Sequence, residues 1–129
     1  MTAPSKPLRM SAAERGIHQS IIDYLRLILP ESHKAVHLRN NPRSRVMGGI
    51  EKRLGALKGI PDIAVIRPLG RIAFIEVKAE KGRLSPEQAD FRLWCVRWGV
   101  PHCVARSIED VRGFLDAIGI ETKKEGRAV

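Results

Sequence analysis

Cysteine is scarce in this chain: Cys95 and Cys103 are the two among 129 residues. They supply neither the density of a secreted disulfide framework nor the spacing of a thiolate metal site, so reduced thiols in a helix and a strand are expected. Long apolar runs are missing too. No segment has the length needed to span a bilayer, and "MTAPSKPLRM" lacks the apolar centre of a signal peptide. The expectation is a cytoplasmic protein with no membrane contact. Acidic residues are short as well, 14 Asp plus Glu against 23 Lys plus Arg, for a formal charge of +9 and a pI near 10.3. A surface of that sign attracts polyanions over long range, and nucleic acid is the expected partner. What is there, 43% hydrophobic over 129 residues, suits one domain with one core.

Start and stop signals divide the chain into a loose arm over residues 1–10, a single domain over 11–118 and a polar tail over 119–129 without fixed structure. Ser11 and Glu14 have capping-box spacing, and Ile17, Ile21, Leu25 and Ile28 form the apolar stripe of a helix that Pro30 stops. "KAVHL" reads as a short strand. Residues 40–58, "NNPRSRVMGGIEKRLGALK", read as a basic connection in which Arg43, Arg45, Lys52, Arg53 and Lys58 outnumber one acid. Together with Arg39 just before them, these residues are the candidate contacts to a DNA backbone. Two strands follow, about 60–66 and 72–79, joined by a turn in "RPLGR". Ser85 then caps a helix that begins at Pro86 and ends at Gly99, "HCVAR" is a last strand, and Ser107 opens a last helix.

The hairpin brings charges together. A turn centred on Leu69 sets Asp62 opposite Glu76, with side chains on one face and Cβ atoms roughly 4.5–5.5 Å apart. Lys78 falls on that face, whereas Ile63, Val65, Ile75 and Val77 point to the other. Two opposed carboxylates repel unless something cationic sits between them. Mg2+ is the expected cofactor, with Mn2+ able to substitute, because it takes oxygen ligands from one or two carboxylates and fills the rest of its shell with water and phosphate. A lysine beside such a site can orient a water for attack on a phosphodiester. A bare E-x-K is a weak signal, and a second copy at residues 121–123 sits in the polar tail. Strand placement and the opposed Asp62 are what separate "EVK" from a structural ion pair. Glu14 and Gln88 carry two readings each, as the acid or amide of a capping box and as a polar group turned toward the metal or its waters. His33 and His37 mimic a zinc spacing, but four residues of extended chain separate them by roughly 13 Å.

"GIPD", thirteen residues, "EVK" and then "LSPEQADF" resemble the PD-(D/E)xK nuclease superfamily, and within it the VRR-NUC branch, small versions of which occur in bacteriophage and prophage. The resemblance covers about residues 11–106. It implies an α/β, restriction-endonuclease-like core with a mixed central sheet flanked by helices. It implies that Asp62, Glu76 and the Val77 carbonyl hold the metal, that Lys78 is the catalytic lysine, and that Glu14 and Gln88 complete the site. His18-Gln19 offers an alternative polar contact on the first helix. The expected activity is divalent-metal-dependent hydrolysis of DNA, structure-specific and directed at four-way junctions or other branched DNA by a homodimer. The alternatives are a restriction-like, single-strand or flap nuclease, and a DNA-binding module that keeps the fold without cutting.

Overall fold

Ser11 opens the first helix as its spacing predicts. Its Oγ accepts from the Glu14 amide at 3.1 Å, and α1 runs Ala12–Ile28 until Pro30, with no N–H to offer, ends it. The computed structural model describes residues 10–38, 49–50, 53–55 and 57–123. After α1 come β1 (Lys34–His37), β2 (Ile63–Ile66), a 3-10 turn at Pro68–Gly70, β3 (Ile72–Val77), α2 (Pro86–Trp98), β4 (His102–Ala105) and α3 (Ile108–Ala117). Each expected helix has its serine cap, at Ser11, Ser85 and Ser107. Of the arm expected over residues 1–10, Met10 packs against the larger core and residues 1–9 lie outside the described residues.

The four strands lie in the order β1-β2-β3-β4. The first three pair antiparallel, and β4 pairs parallel to β3, so α2 must carry the chain back across the sheet. The result is the mixed, helix-flanked α/β sheet expected from the sequence. The hairpin register is also the expected one, with Ile63 opposite Ile75 and Val65 opposite Ala73. Both strands are shorter than expected at the site end, and the reason is Asp62. Its carboxylate Oδ2, not a backbone carbonyl, accepts the Val77 N–H at 2.8 Å. Preceded by Pro61, which cannot donate, the strand ladder gives way to a side-chain bond.

The sheet buries two unequal faces. Ile63, Val65, Ala73, Ile75, Val77 and Ala105 pack under α1 and α3 with Ile21, Leu25, Ile28, Val111 and Leu115. On the other face Ala64 and Phe74 meet Cys95 of α2, with Phe91, Ile60 and Val100 at the edges. The tail begins later than expected. Gly119 turns back with φ 78°, Ile120 is buried in the larger core, and the Lys123 N–H donates to the Ile28 carbonyl at 2.7 Å. The isolated Ile120 in a polar context hid this from a reading of composition; residues 124–129 lie outside the described residues.

Gly59 decides how the smaller face closes. Its φ is +89°, and a Cβ would stand 2.5 Å from the Glu87 carbonyl carbon and oxygen and 2.9 Å from the Gln88 nitrogen. Glycine therefore lets the approach to Asp62 press against the first turn of α2. Gly59→Ala is expected to cost about 2 kcal/mol or more in urea unfolding, from the left-handed backbone and the displaced helix together. An unfolding midpoint equal to that of the unaltered protein would show that this approach constrains nothing.

Candidate active site

Asp62 ends the approach to β2, Glu76 sits in β3, and Lys78 follows its last residue. All three are buried, at 9%, 2% and 8% exposure. Unpartnered charges at such depth are costly, so their contacts define the site. The Val77 N–H fixes Asp62, as described. Glu76 Oε1 accepts from Gln88 Nε2 at 3.0 Å, while Oε2 is buried with no hydrogen-bond donor. Burial pushes the Glu76 carboxyl up to about 9; the charge of Asp62, the hydrogen bond that protonated Glu76 gives to Asp62, and the charge of Glu14 act in the same direction, against Lys78. The gap between the two carboxyls thus favours a proton, and a cation there would relieve the same repulsion.

Gln88 caps its helix and also reaches Glu76. Its Oε1 accepts the Ser85 N–H at 2.8 Å and its own N–H donates to Ser85 Oγ at 3.2 Å, which closes the capping box and leaves Nε2 for Glu76. That network also fixes which end of the amide is nitrogen. Glu14 behaves otherwise. Its N–H meets Ser11 Oγ, but no return bond runs from its carboxylate to Ser11, so the second half of the expected capping box is missing. The half-buried carboxylate contributes its charge to the surroundings of Glu76 instead.

Of three further residues at or beside the site, His18 is the alternative contact offered on the first helix, whereas His37 and Arg106 are given no part in it by the sequence. His18, one turn after Glu14, stands edge-on to His37, with ring centroids 4.8 Å apart. Burial and then His37 lower its pKa, while nearby Asp62 raises it, and its buried Nδ1 has no partner. His37 reaches this position because Leu38, the next residue, donates its N–H to the Asp62 carbonyl at 2.7 Å. The neighbouring Gln19 binds Asp23 along the helix and leaves the site to His18. His33 Nδ1 instead lies 2.9 Å from Ser32 Oγ, and burial, then the charges of Arg67 and Arg71, lower its pKa. Arg106 was also missed. Its Nη1 donates to the carbonyls of Ala79, Glu80 and Gly82 at 2.6, 3.2 and 2.7 Å, clasping the loop that follows Lys78. A basic residue closing the "HCVAR" strand was its only signal.

The donor set fits a hard divalent ion. Two carboxylates converge, one oxygen lacks a donor, and no group of three or more His, Cys, Asp or Glu side chains suited to a metal occurs among the described residues. An ion here would take one or two carboxylates from Asp62 and Glu76 and would complete its shell with carbonyl oxygen, water and phosphate, as Mg2+ commonly does. Asp62 and Glu76 would hold it, with the Val77 carbonyl adjacent in the chain. Of the basic candidates, Arg53 is exposed and Lys58 lies 3.5 Å from Glu87 Oε1 on α2, whereas Arg39, Arg43, Arg45 and Lys52 lie outside the described residues.

A mixed sheet flanked by helices, with opposed acids on an antiparallel pair and a lysine two residues after the second, has the form of a restriction-endonuclease-like nuclease core. The VRR-NUC domain model matches residues 3–109, and the chain belongs to that family. Among solved structures, a "VRR_NUC domain" superposes with a TM-score of 0.58 at 21% identity, over 82% of this chain and 97% of its own. A "VRR_NUC domain protein" gives 0.64 at 16% identity, over 84% and 89%. At these identities the likeness is one of fold. No curated protein matches. Family membership makes this a nuclease-type domain that processes DNA.

Glu76 links stability to pH. Between its ordinary value near 4.5 and about 9, the folded protein retains a proton that the unfolded chain releases. Metal-free stability therefore falls as pH rises through that interval. In chelator at pH 8, Glu76→Gln is expected to melt at or a few degrees above the unaltered protein, and its melting temperature is expected to depend less on pH between 5 and 9. A clear drop in melting temperature would mean that the Glu76 charge is a net stabilising partner of Lys78.

Proposed function

We propose that the domain is a divalent-metal-dependent DNA endonuclease that hydrolyses phosphodiester bonds in branched DNA. The observation that carries this reading is the buried pair of opposed carboxylates, with Glu76 Oε2 lacking a donor and Lys78 on the same face. When bound, the metal supplies Lewis-acid polarisation of the phosphate and acidifies a water.

The chain's own groups supply orientation. The Val77 N–H turns Asp62 toward the gap, and Gln88 holds one oxygen of Glu76 so that the other faces Asp62. Lys78 reaches the site on a loop that Arg106 clasps, and its ammonium orients the attacking water and the phosphate oxygen. Water adds to phosphorus, the bond to one ester oxygen breaks, and that oxygen leaves with a proton. Arg53 and Lys58, near the approach to Asp62, make phosphate contacts that set the position of the backbone. Glu14 contributes negative charge at the outer side of Glu76, where waters of the ion would be held.

Branched DNA and a homodimer belong to the same proposal. One such centre lies among the described residues, and resolving a junction takes two cuts, most simply made by two copies about a two-fold axis. Purified protein is to be tested on duplex, single-stranded, flap, splayed and four-way DNA with Mg2+, Mn2+ or chelator. Cleavage is expected with metal and not with chelator. Lys78→Ala and Glu76→Gln are expected to lose about 10²–10⁴-fold in rate, and Gln88→Ala about 10–100-fold, with DNA binding largely kept. Near-normal cutting by Lys78→Ala or Glu76→Gln would sink the mechanism. Paired nicks on a four-way junction by a particle that light scattering shows to be monomeric would remove the dimer.

A further inference from the structure

Helix α2 is unusual in turning most of its apolar surface outward. Its single fully buried residue is Cys95, whereas Leu93, Val96, Trp94 and Trp98 face solvent, the two tryptophans at 51% and 63% exposure. Arg92 and Arg97 lie among them, and residues 91–98, "FRLWCVRW", contain no acid. The Arg97 guanidinium sits over the Trp98 ring, 5.3 Å from its centroid. Trp94 lies 5.7 Å from Phe91, which packs edge-on to Phe74 of β3 at 5.2 Å. An aromatic series thus runs from the sheet face that carries Glu76 out to the solvent side of the helix.

We infer that the Trp94–Arg97–Trp98 face of α2 is a stacking platform for unpaired DNA bases beside the cleavage site. This rests on the nuclease reading and adds to it the feature of the substrate that is selected. Aromatic rings interleaved with arginine suit single-stranded nucleic acid, because every base has a face to stack and every nucleotide a phosphate to neutralise. Charge decides against a second copy of this chain as the occupant. Two-fold pairing of these faces would bring arginines together with no acid in the last two turns to offset them.

Geometry sets the reach. Trp94 and Trp98 are four residues apart on the helix, about 6 Å along its axis and near twice the 3.4 Å step of stacked bases, so the two rings match bases two steps apart along a strand. Gln88, which touches Glu76, precedes them by six and ten residues, or about 9 and 15 Å. At about 3.4 Å per nucleotide the platform meets bases roughly three to four nucleotides from the scissile phosphate. Flaps and opened branch points supply unpaired bases there, and blunt duplex does not.

The test uses the whole protein in chelator, where binding is read apart from cutting. Titration with an oligo-dT strand and with a flap is expected to quench tryptophan emission, and blunt duplex to quench it far less. Trp94→Ala/Trp98→Ala is expected to bind the strand and the flap about tenfold or more weakly while its affinity for duplex stays the same. Trp98→Ala alone, whose ring has no contact with the core aromatics, is expected to show part of that loss at an unchanged melting temperature. Equal affinity of the double variant for unpaired DNA would overturn the inference, as would absence of quenching in the unaltered protein. So would a change of particle mass in light scattering without loss of DNA affinity, which would assign the face to a second copy. Failure of the nuclease reading appears separately, as no cleavage of any of these DNAs with Mg2+ or Mn2+.

Discussion

Two carboxylates held out of water on one face of a hairpin, Asp62 and Glu76, set the conditions for what surrounds them. In isolation such a pair is unfavourable twice over, by desolvation and by repulsion. The fold tolerates it because the hairpin register allows no other placement: Ile63, Val65, Ile75 and Val77 fill the opposite face, and slipping by one residue would exchange those apolar side chains for the acids. The larger core under α1 and α3 therefore maintains the smaller polar site on the other side of the sheet. Glu76 answers the cost by keeping a proton well above the usual carboxylate range. A cation in place of the proton would remove both penalties at once, so the unfavourable pair of the bare fold is suited to become a binding site.

Helix α2 connects that site to everything outside it. Its first turn is pressed against Gly59, its capping amide reaches Glu76, and its outer surface carries the tryptophans and arginines. A helix with so little buried surface is held mainly at its ends, by the Ser85 box and by Gly99 in the left-handed conformation. The loop between β3 and α2 is treated differently. Arg106 satisfies three of its carbonyls from the end of the following strand, and the Lys78 N–H donates to the Ala105 carbonyl at 3.0 Å, so Lys78 is tied to β4 just ahead of the braced segment.

Much of this was legible in the chain itself, because it depends on neighbours. The three serine caps, the stop at Pro30, the Gly99 terminus and the hairpin register follow from local spacing, and the period of two in a strand places Asp62, Glu76 and Lys78 on one face with no knowledge of the rest. The excess of basic residues indicates a polyanionic partner in the same way. What packing between distant elements decided was not legible. That Gln88 could cap its helix and bind Glu76 together, that Glu14 would leave its cap half made, and that His18 would meet His37 beside Asp62 depend on how α1 and α2 seat on the sheet. Ile120 joined the core, and Arg106 reached back 27 residues to Ala79, for the same reason. Sequence periodicity assigns a side chain to a face; only the closing of helices onto that face determines which side chains from other elements it meets there.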